Sequence, residues 1–366
     1  MSGWLEGRSA DGHGIRVRVE GDRIAAVEQT AANPDDPFLL PGLIDLQVNG
    51  FGGYDVNADD LTEADVTALA AALRVHGVTG FCPTIVSAPQ PKILAALRTI
   101  AAARAQDPAT AGAILGVHVE GPYISDVDGP RGAHDARWLR DPSEDELADW
   151  LEAAPGLVRI VTLAPERQGA IGFIRAAAEA GLVVAIGHTD ATPEQIHAAT
   201  RAGALLSTHL GNGNRAVLPR HPNNIWAQLA ADGLTASLIA DGHHLPADTL
   251  TALVRAKGAE KAVLVSDSVA LAGCPPGEYQ TPVGGSVTVE EDGRVRLTGS
   301  HLLAGGGRSL LDCVRWALGH TGFDLTQLWA MASANPARLL GLKDRGVIEV
   351  GARADLIKLD RRLAVL

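Results

Sequence analysis

Four side chains that can bind a metal or carry a proton stand where short apolar runs of the sequence end. They are Glu120 in VHVEGP, His188 in VVAIGHTD, His209 in LLSTHLGN and Asp267 in AVLVSDS. The runs are predicted strands, and in an alternating β/α chain the strand ends converge on one face. Two imidazoles and a carboxylate form a three-ligand metal site with an open position, and a further carboxylate can serve as its base. The pattern therefore predicts a metal-dependent hydrolase.

Each of these residues also has an ordinary structural interpretation. A single His at a strand end is more often hydrogen-bonded than a ligand, and Asp267 after a strand is a typical helix N-cap. His188 and His209, however, lie 21 residues apart on consecutive predicted strands, with Glu120 on an earlier one. This combination favours a metal site. Opposite a metal, Asp267 is predicted to take a proton from water and give it to a leaving amine.

The elements that must position these residues alternate along the middle of the chain. About eight predicted strand–helix units favour a (β/α)8 TIM-type barrel over an open doubly wound sheet. Residues 41–344 are predicted to form this barrel. The strand-rich ends, residues 1–40 and 345–366, predict a small β-sandwich domain formed from both termini. A hairpin with its turn at residues 291–293 is predicted as an excursion from the barrel edge.

Composition excludes several other classes of protein. The chain has 366 residues, of which 46% are hydrophobic and 20% charged, as in an ordinary soluble globular protein. Its net charge of −12 argues against nucleic-acid binding, and an anionic substrate would need a locally basic pocket. The sequence shows no signal peptide, no apolar run long enough for a membrane span, and three scattered cysteines. These features predict a cytoplasmic protein that does not bind membranes.

Gln47 and Asn49 end the first predicted barrel strand, where many metal hydrolases of this architecture carry an HxH pair that helps hold a second cation. Amide side chains are poor ligands for an ion of the zinc type, so we expect one metal rather than two. Gln47 is then free to bind substrate. A Glu/His/His set favours Zn²⁺ but also accepts Fe²⁺, Co²⁺ or Mn²⁺.

A series of motifs carries a resemblance to a known family. PGLIDLQVNGFGG, GVTGFCPTIVS, GVHVEGPYI followed by GAHDA, VTLAPE, IGHTDAT, THLGN, IADGHH and VSDS occur in this order. Together they resemble the N-acetylglucosamine-6-phosphate deacetylases of the amidohydrolase superfamily, from about residue 40 to GVIEVGARADLIKLD near the C-terminus. The resemblance implies a one-metal enzyme that hydrolyses N-acetylglucosamine 6-phosphate to glucosamine 6-phosphate and acetate.

The same resemblance implies roles for individual residues. It assigns metal binding to Glu120, His188 and His209 and the acid/base role to Asp267, and it places Ala133 and His134 in the loop that approaches the N-acetyl sugar. We expect the metal, helped by His134, to stabilise the oxyanion that develops during the reaction. It also implies that Arg220 reaches the sugar phosphate from a neighbouring subunit, and hence a homodimer. The predicted substrate-binding residues are Gln47, Ala133, Asn212, Gly213, Arg220, His244, Leu303, Ala304 and Gly305.

Two segments depart from the family pattern. The chain has HLGNGN where the family usually has HLYNAM, and LAGGGR where it has LSGS or LAGS. Both lie in predicted substrate-facing loops, so an alternative is an amidohydrolase of the same fold acting on another N-acyl amino sugar or a cyclic amide. A third hypothesis is a non-catalytic sugar-binding relative. The retained metal set and Asp267 argue against it, because a binding protein needs no proton shuttle.

Overall fold

The computed structural model describes residues 3–281, 285–300 and 302–366. Its strands are β1 (Trp4–Arg8), β2 (Gly14–Glu20), β3 (Arg23–Thr30), β4 (Phe38–Pro41), β5 (Leu43–Val48), β6 (Gly50–Phe51), β7 (Tyr54–Asp55), β8 (Val78–Val86), β9 (Val117–Glu120), β10 (Val158–Leu163), β11 (Val183–Ile186), β12 (Ala204–Ser207), β13 (Thr235–Ile239), β14 (Ala262–Val265), β15 (Gly277–Thr281), β16 (Gly285–Val289), β17 (Val295–Leu297) and β18 (Leu356–Leu359). Its α-helices are α1 (Glu63–Val75), α2 (Gln90–Gln106), α3 (Pro108–Ala113), α4 (Glu144–Ala153), α5 (Ala170–Glu179), α6 (Pro193–Ala202), α7 (Asn224–Ala230), α8 (Ala247–Lys257), α9 (Leu310–His320), α10 (Leu325–Ala332) and α11 (Ala334–Leu339).

Eight parallel strands form the barrel, in the order β5, β8, β9, β10, β11, β12, β13 and β14. The last strand returns to the first through Ser268, whose carbonyl accepts hydrogen bonds from the backbone N–H groups of Asn49 (2.8 Å) and Gly50 (3.1 Å). Most strand residues are buried on both faces, because helices cover the outside and side chains fill the interior. The prediction of a TIM-type barrel is confirmed.

The helices that return the chain between strands begin and end at the residues that helix chemistry favours. Helix α6 starts with a capping box between Thr192 and Gln195 and ends at Gly203, whose φ is 120°. Helix α1 buries one face through Val66, Leu69, Ala70 and Leu73, so it packs against the barrel. Within the described ranges, no helix combines the length and the apolarity that crossing a membrane requires.

Both termini contribute to a second, five-stranded sheet with the order β18, β4, β1, β2 and β3. Its small core contains Ile15, Val17, Ile24, Leu39 and Ala352. The chain passes from this sheet to the barrel at Gly42, which lies between β4 and β5. A Cβ atom at Gly42 would lie 2.0 Å from Thr79 Oγ1, so the close approach at this crossing requires glycine.

The predicted hairpin at residues 285–297 belongs to a three-stranded antiparallel sheet of β15, β16 and β17. Its turn contains Gly293, with a φ of 84°. Val287 and Val295 on this sheet pack with Leu271, which follows the last barrel strand. The sheet therefore lies at the carboxyl end of the barrel, beside the residues that follow the strands.

Candidate metal centre and active site

Four predicted site residues stand at the carboxyl ends of barrel strands. Glu120 is the last residue of β9, and His188, His209 and Asp267 each lie two positions beyond a strand. The last three have positive φ angles of 48°, 30° and 49°. Such angles are uncommon outside glycine, cost about 1–3 kcal/mol each, and cluster at functional sites. The barrel thus holds these three side chains in place through strained backbone.

The ligand atoms of Glu120, His188 and His209 converge. Glu120 Oε1 lies 3.4 Å from His188 Nε2 and 3.2 Å from His209 Nε2, and the two Nε2 atoms are 3.0 Å apart. The three residues are 3%, 8% and 2% exposed, respectively. A tetrahedral cation with ligands at about 2.0–2.1 Å places them about 3.3–3.4 Å from one another. The spacing and the donor types therefore fit a divalent metal.

The Nδ1 atoms of His188 and His209, on the far side of each ring from the cluster, help to decide whether the Nε2 atoms can bind a metal. His188 Nδ1 lies 2.8 Å from the carbonyl oxygen of Pro130 and can only donate to it, so the Nε2 lone pair of the neutral ring faces the cluster. His209 Nδ1 is buried and has no hydrogen-bond partner among the described residues. Burial opposes ionisation of Glu120, but its interactions with the imidazoles of His188 and His209 outweigh burial and hold its pKa well below the usual value. Glu120 is therefore the anionic member of the set.

His134 lies beside this triad and offers an alternative ligand set. The ligand atoms of Glu120, His134 and His188 all lie within 4.8 Å of one another. His134 Nε2, however, is 3.9 Å from the other carboxylate oxygen, Glu120 Oε2, so His209 is the closer third ligand. His134 Nδ1 is 2.9 Å from Ser87 Oγ. Burial and the nearby His188 lower the pKa of His134 to about 3, so its ring is neutral at neutral pH.

Two amide side chains hold the carboxylates. Asn49 Nδ2 donates to Asp267 Oδ1 at 2.8 Å, and Gln47 Nε2 donates to Glu120 Oε1 at 2.8 Å. Gln47 is only 1% exposed, so its amide faces Glu120 rather than the cavity described next. Burial, and then the charge of Glu120, raise the pKa of Asp267 to about 6. A carboxyl group with such a pKa exchanges protons readily near neutral pH.

A cavity of about 530 Å³ opens above these residues. Of the predicted site residues, it is lined by Glu120, Ala133, His134, His188, His209, Asn212, Gly213, His244, Asp267, Leu303, Ala304 and Gly305, but not by Gln47 or Arg220. Gly213 has a φ of 59°, and a Cβ atom there would lie 3.0 Å from His188 Nδ1 and 3.2 Å from His209 Cε1. The loop at residues 211–214 therefore packs its backbone directly on the imidazole rings of His188 and His209.

His244 places in the cavity an imidazole whose protonated form is favoured by a neighbouring carboxylate. Its Nδ1 lies 2.7 Å from Asp241 Oδ2, and the backbone N–H groups of His243 and His244 donate to Asp241 Oδ1. Burial favours the neutral imidazole, but the hydrogen bond and charge of Asp241 outweigh it, so the pKa of His244 is raised. His243 instead lies outside, with Nε2 3.4 Å from the carbonyl of Asp292. Of the two neighbouring histidines, only His244 faces the cavity.

Several cavity residues had no predicted role. Arg215 lines the cavity, and its guanidinium pairs with both oxygens of Asp190 at 2.6 Å. It is the only Lys or Arg among the lining residues in the described part of the chain. Its position in GNGNRAVLPR was visible in the sequence, but the family resemblance pointed only to Arg220. Val287 and Val295 also line the cavity, and no local signal in their hairpin indicates that it covers the barrel mouth.

Comparisons with known proteins agree with this geometry. The model of the amidohydrolase family matches residues 38–364. N-acetylglucosamine-6-phosphate deacetylase of Vibrio furnissii is 35% identical over 87% of this chain and 78% of its own length. N-acetylgalactosamine-6-phosphate deacetylase of Escherichia coli O157:H7 is 35% identical over 99% of this chain and 93% of its own. A Mycobacterium smegmatis deacetylase variant, solved with N-acetyl-D-glucosamine-6-phosphate, is 33% identical with a TM-score of 0.86, covering 96% of this chain and 92% of its own. The predicted resemblance is confirmed, and the chain belongs to the amidohydrolase family, together with these deacetylases.

Proposed function

We propose that this chain is a metal-dependent deacetylase of N-acetylhexosamine 6-phosphates, with N-acetylglucosamine 6-phosphate as its first candidate substrate. The products are glucosamine 6-phosphate and acetate. The observation that carries the proposal is the convergence of three buried ligand atoms, from Glu120, His188 and His209, beside Asp267 at the floor of one cavity. The relatives' substrates support the choice of sugar.

One divalent cation is the proposed cofactor, held by Glu120, His188 and His209. The donor set of one carboxylate and two imidazoles favours Zn²⁺, and Fe²⁺, Co²⁺ or Mn²⁺ can use the same set. A bound cation of this kind polarises a carbonyl group and lowers the pKa of water from about 16 to about 7. The remaining steps belong to side chains of the protein.

Asp267 is the proposed proton carrier. Its pKa of about 6 leaves the carboxylate mostly ionised at neutral pH, so it can accept the proton of the attacking water. The protonated carboxyl group can then donate that proton to the amide nitrogen, which leaves poorly without one. Asn49 holds one oxygen of the carboxylate, and the other oxygen is left for the proton transfer.

His134 is proposed to stabilise the negative charge that develops on the carbonyl oxygen. When the Ser87 hydroxyl donates to Nδ1, the neutral ring carries its proton on Nε2, the atom that lies 3.9 Å from Glu120 Oε2. The Nε2–H group then faces the cluster and can donate to an oxyanion. The lowered pKa of His134 makes it a hydrogen-bond donor rather than a competing acid.

The 6-phosphate is assigned to His244 and to Arg220 of a second subunit. Arg220 is exposed and does not line the cavity of its own chain. It can therefore act on a phosphate only if another copy brings it there, so a homodimer is part of the proposal. We also propose a cytoplasmic location, which the free cysteines at positions 82, 274 and 313 support.

A second candidate function is hydrolysis of an unphosphorylated N-acyl amino sugar by the same site. The observation that favours it is the cavity lining. In the described part of the chain, Arg215 is its only Lys or Arg, and Asp190 already pairs with that guanidinium. Among the described residues of one subunit, a phosphate dianion in the cavity would therefore meet no unpaired guanidinium or ammonium group.

A panel of substrates distinguishes the two candidate functions. Purified, metal-replete protein is assayed for acetate release from N-acetylglucosamine 6-phosphate, N-acetylgalactosamine 6-phosphate and unphosphorylated N-acetylglucosamine. A kcat/KM at least 100-fold higher for a phosphorylated sugar supports the first function, and Arg220→Ala should then remove most of that preference. Equal rates with and without phosphate favour the second function. Release from none of the three, with metal bound, refutes both for these sugars.

A further inference from the structure

The two amides at the end of the first barrel strand have complementary targets. Gln47 is the second-last residue of β5, and Asn49 directly follows the end of that strand at Val48. Gln47 Nε2 donates to Glu120 Oε1 and Asn49 Nδ2 donates to Asp267 Oδ1, both at 2.8 Å. Each of the two carboxylates at the cavity floor thus has an amide donor of its own.

The backbone of this strand end is fixed on both sides. Val48 N–H donates to Thr84 Oγ1 at 3.1 Å, and Asn49 N–H donates to the Ser268 carbonyl at 2.8 Å. Because Ser268 directly follows Asp267, the contact that closes the barrel also sets the distance between Asn49 and the Asp267 carboxylate. Gln47 and Asn49 are 1% and 8% exposed, so water competes little for their amides. Both donors are therefore held in position before any ligand binds.

The two carboxylates need such partners. Glu120 and Asp267 carry like charges in one poorly solvated pocket, where repulsion and an unsatisfied oxygen are both costly. An amide N–H compensates a carboxylate oxygen without adding a charge. An amide NH₂ group also cannot ligate a cation through nitrogen, and it occupies a lone pair that a second metal would use.

We propose that Gln47 and Asn49 are positioning residues for the two carboxylates at the cavity floor. Gln47 orients Glu120, the proposed metal ligand, and Asn49 orients Asp267, the proposed proton carrier. The Asn49 half of this proposal rests on the function proposed above. The Gln47 half concerns metal binding alone.

The Gln47 half is tested by zinc binding to the full-length protein. Zinc titration with a chromophoric chelator should give one tight site per chain in the wild type. Gln47→Leu should weaken that site by about 10- to 100-fold, the usual effect of losing a hydrogen bond to a metal ligand. Gln228→Leu is the matched control, because Gln228 is also buried but donates to the Asn224 carbonyl, away from the site. Equal zinc affinity in Gln47→Leu and the control would overturn this half.

The Asn49 half is tested by kinetics at full zinc occupancy. Asn49→Ala should lower kcat by about 10- to 100-fold while KM changes less than threefold and zinc content stays at one per chain. If Asn49 acts through Asp267, the double variant Asn49→Ala/Asp267→Asn should be no slower than Asp267→Asn alone. Effects that multiply, or a change in KM alone, would overturn it. A wild type that hydrolyses no sugar of the panel refutes the proposed function and this half with it, whereas zinc affinity still decides the Gln47 half.

Discussion

Asp267→Asn is the change that tests the proposed chemistry most directly, because it removes one proton-carrying group and little else. The replacement has the same shape, and its amide oxygen can still accept the hydrogen bond that Asn49 Nδ2 donates at 2.8 Å. The proposed metal ligands Glu120, His188 and His209 are untouched. Because a positioned acid/base contributes about 10²- to 10⁴-fold, we expect kcat to fall by that factor, or about 3–5 kcal/mol of barrier. Zinc content should stay at one per chain.

The same variant has a predicted effect on stability, with a sign fixed by the pKa. The folded protein raises the pKa of Asp267 from 3.8 to about 6. Below pH 3.8 the carboxyl is protonated in both folded and unfolded chains, so it costs nothing. As pH rises from 3.8 to about 6, the Asp267 carboxyl group ionises more easily in the unfolded chain than in the folded one. The free energy of unfolding of the wild type therefore falls, whereas that of the neutral variant does not. A shift of this size corresponds to about 3 kcal/mol, as an order of magnitude.

Two measurements on Asp267→Asn distinguish a role in catalysis from a role in structure. Acetate release at saturating substrate gives kcat, and thermal unfolding with a chelator present, at pH 4 and pH 7.5, gives relative stability. We expect the variant to unfold at nearly the same temperature as the wild type at pH 4 and at a clearly higher temperature at pH 7.5. Near-normal kcat in a zinc-loaded variant would remove Asp267 from the mechanism. Slow turnover together with lost zinc or a lower unfolding temperature at pH 7.5 would show a structural role instead.

Three further outcomes follow from individual contacts. His244→Gln should raise KM for the phosphorylated sugar more than for the unphosphorylated one. This difference should shrink as pH rises, because the wild-type imidazole, whose pKa is raised, then loses its proton. Equal KM changes for the two sugars would contradict a phosphate role. Gly213→Ala should weaken zinc binding in a titration, because the new methyl group would contact His188 and His209 and the backbone φ of 59° is strained for alanine. Unchanged zinc affinity would contradict the packing described. Asp45→Asn should raise the unfolding temperature above pH 7 but not below pH 4. The reason is that burial raises the pKa of Asp45 to about 7, and its Oδ2 has no hydrogen-bond partner among the described residues. A lower unfolding temperature of the variant at pH 8 would contradict this reasoning.

The sequence predicted the barrel and the metal cluster because both follow from local pattern. Apolar β-branched runs alternate with helical segments, and parallel strands bring their carboxyl ends to one face. Glu120, His188 and His209 stand at or just beyond those ends, so knowing the strands was enough to bring them together. Their assignment as metal ligands stays a prediction, which the zinc titrations test.

Other features depended on contacts between distant parts of the chain. Asn49 and Asp267 are 218 positions apart, and their hydrogen bond exists because the barrel closes at Ser268. No local signal shows that the Gln47 amide turns toward Glu120, and its substrate contact stays a prediction. The position of the 285–297 hairpin over the cavity likewise depends on packing with Leu271, which no local signal in the hairpin indicates.

The backbone at the site shows why local propensity cannot indicate such residues. At positions 188, 209 and 267 the chain adopts left-handed angles that glycine would accept without strain, yet the sequence has two histidines and an aspartate there. Glu120 and Asp267 add like charges in one pocket, and His209 Nδ1 is buried without a partner in the described chain. None of these choices favours the folded state by itself. A divalent cation that binds only the folded chain offsets all of them through its binding free energy, so the local costs are themselves an argument that the cluster is a metal site.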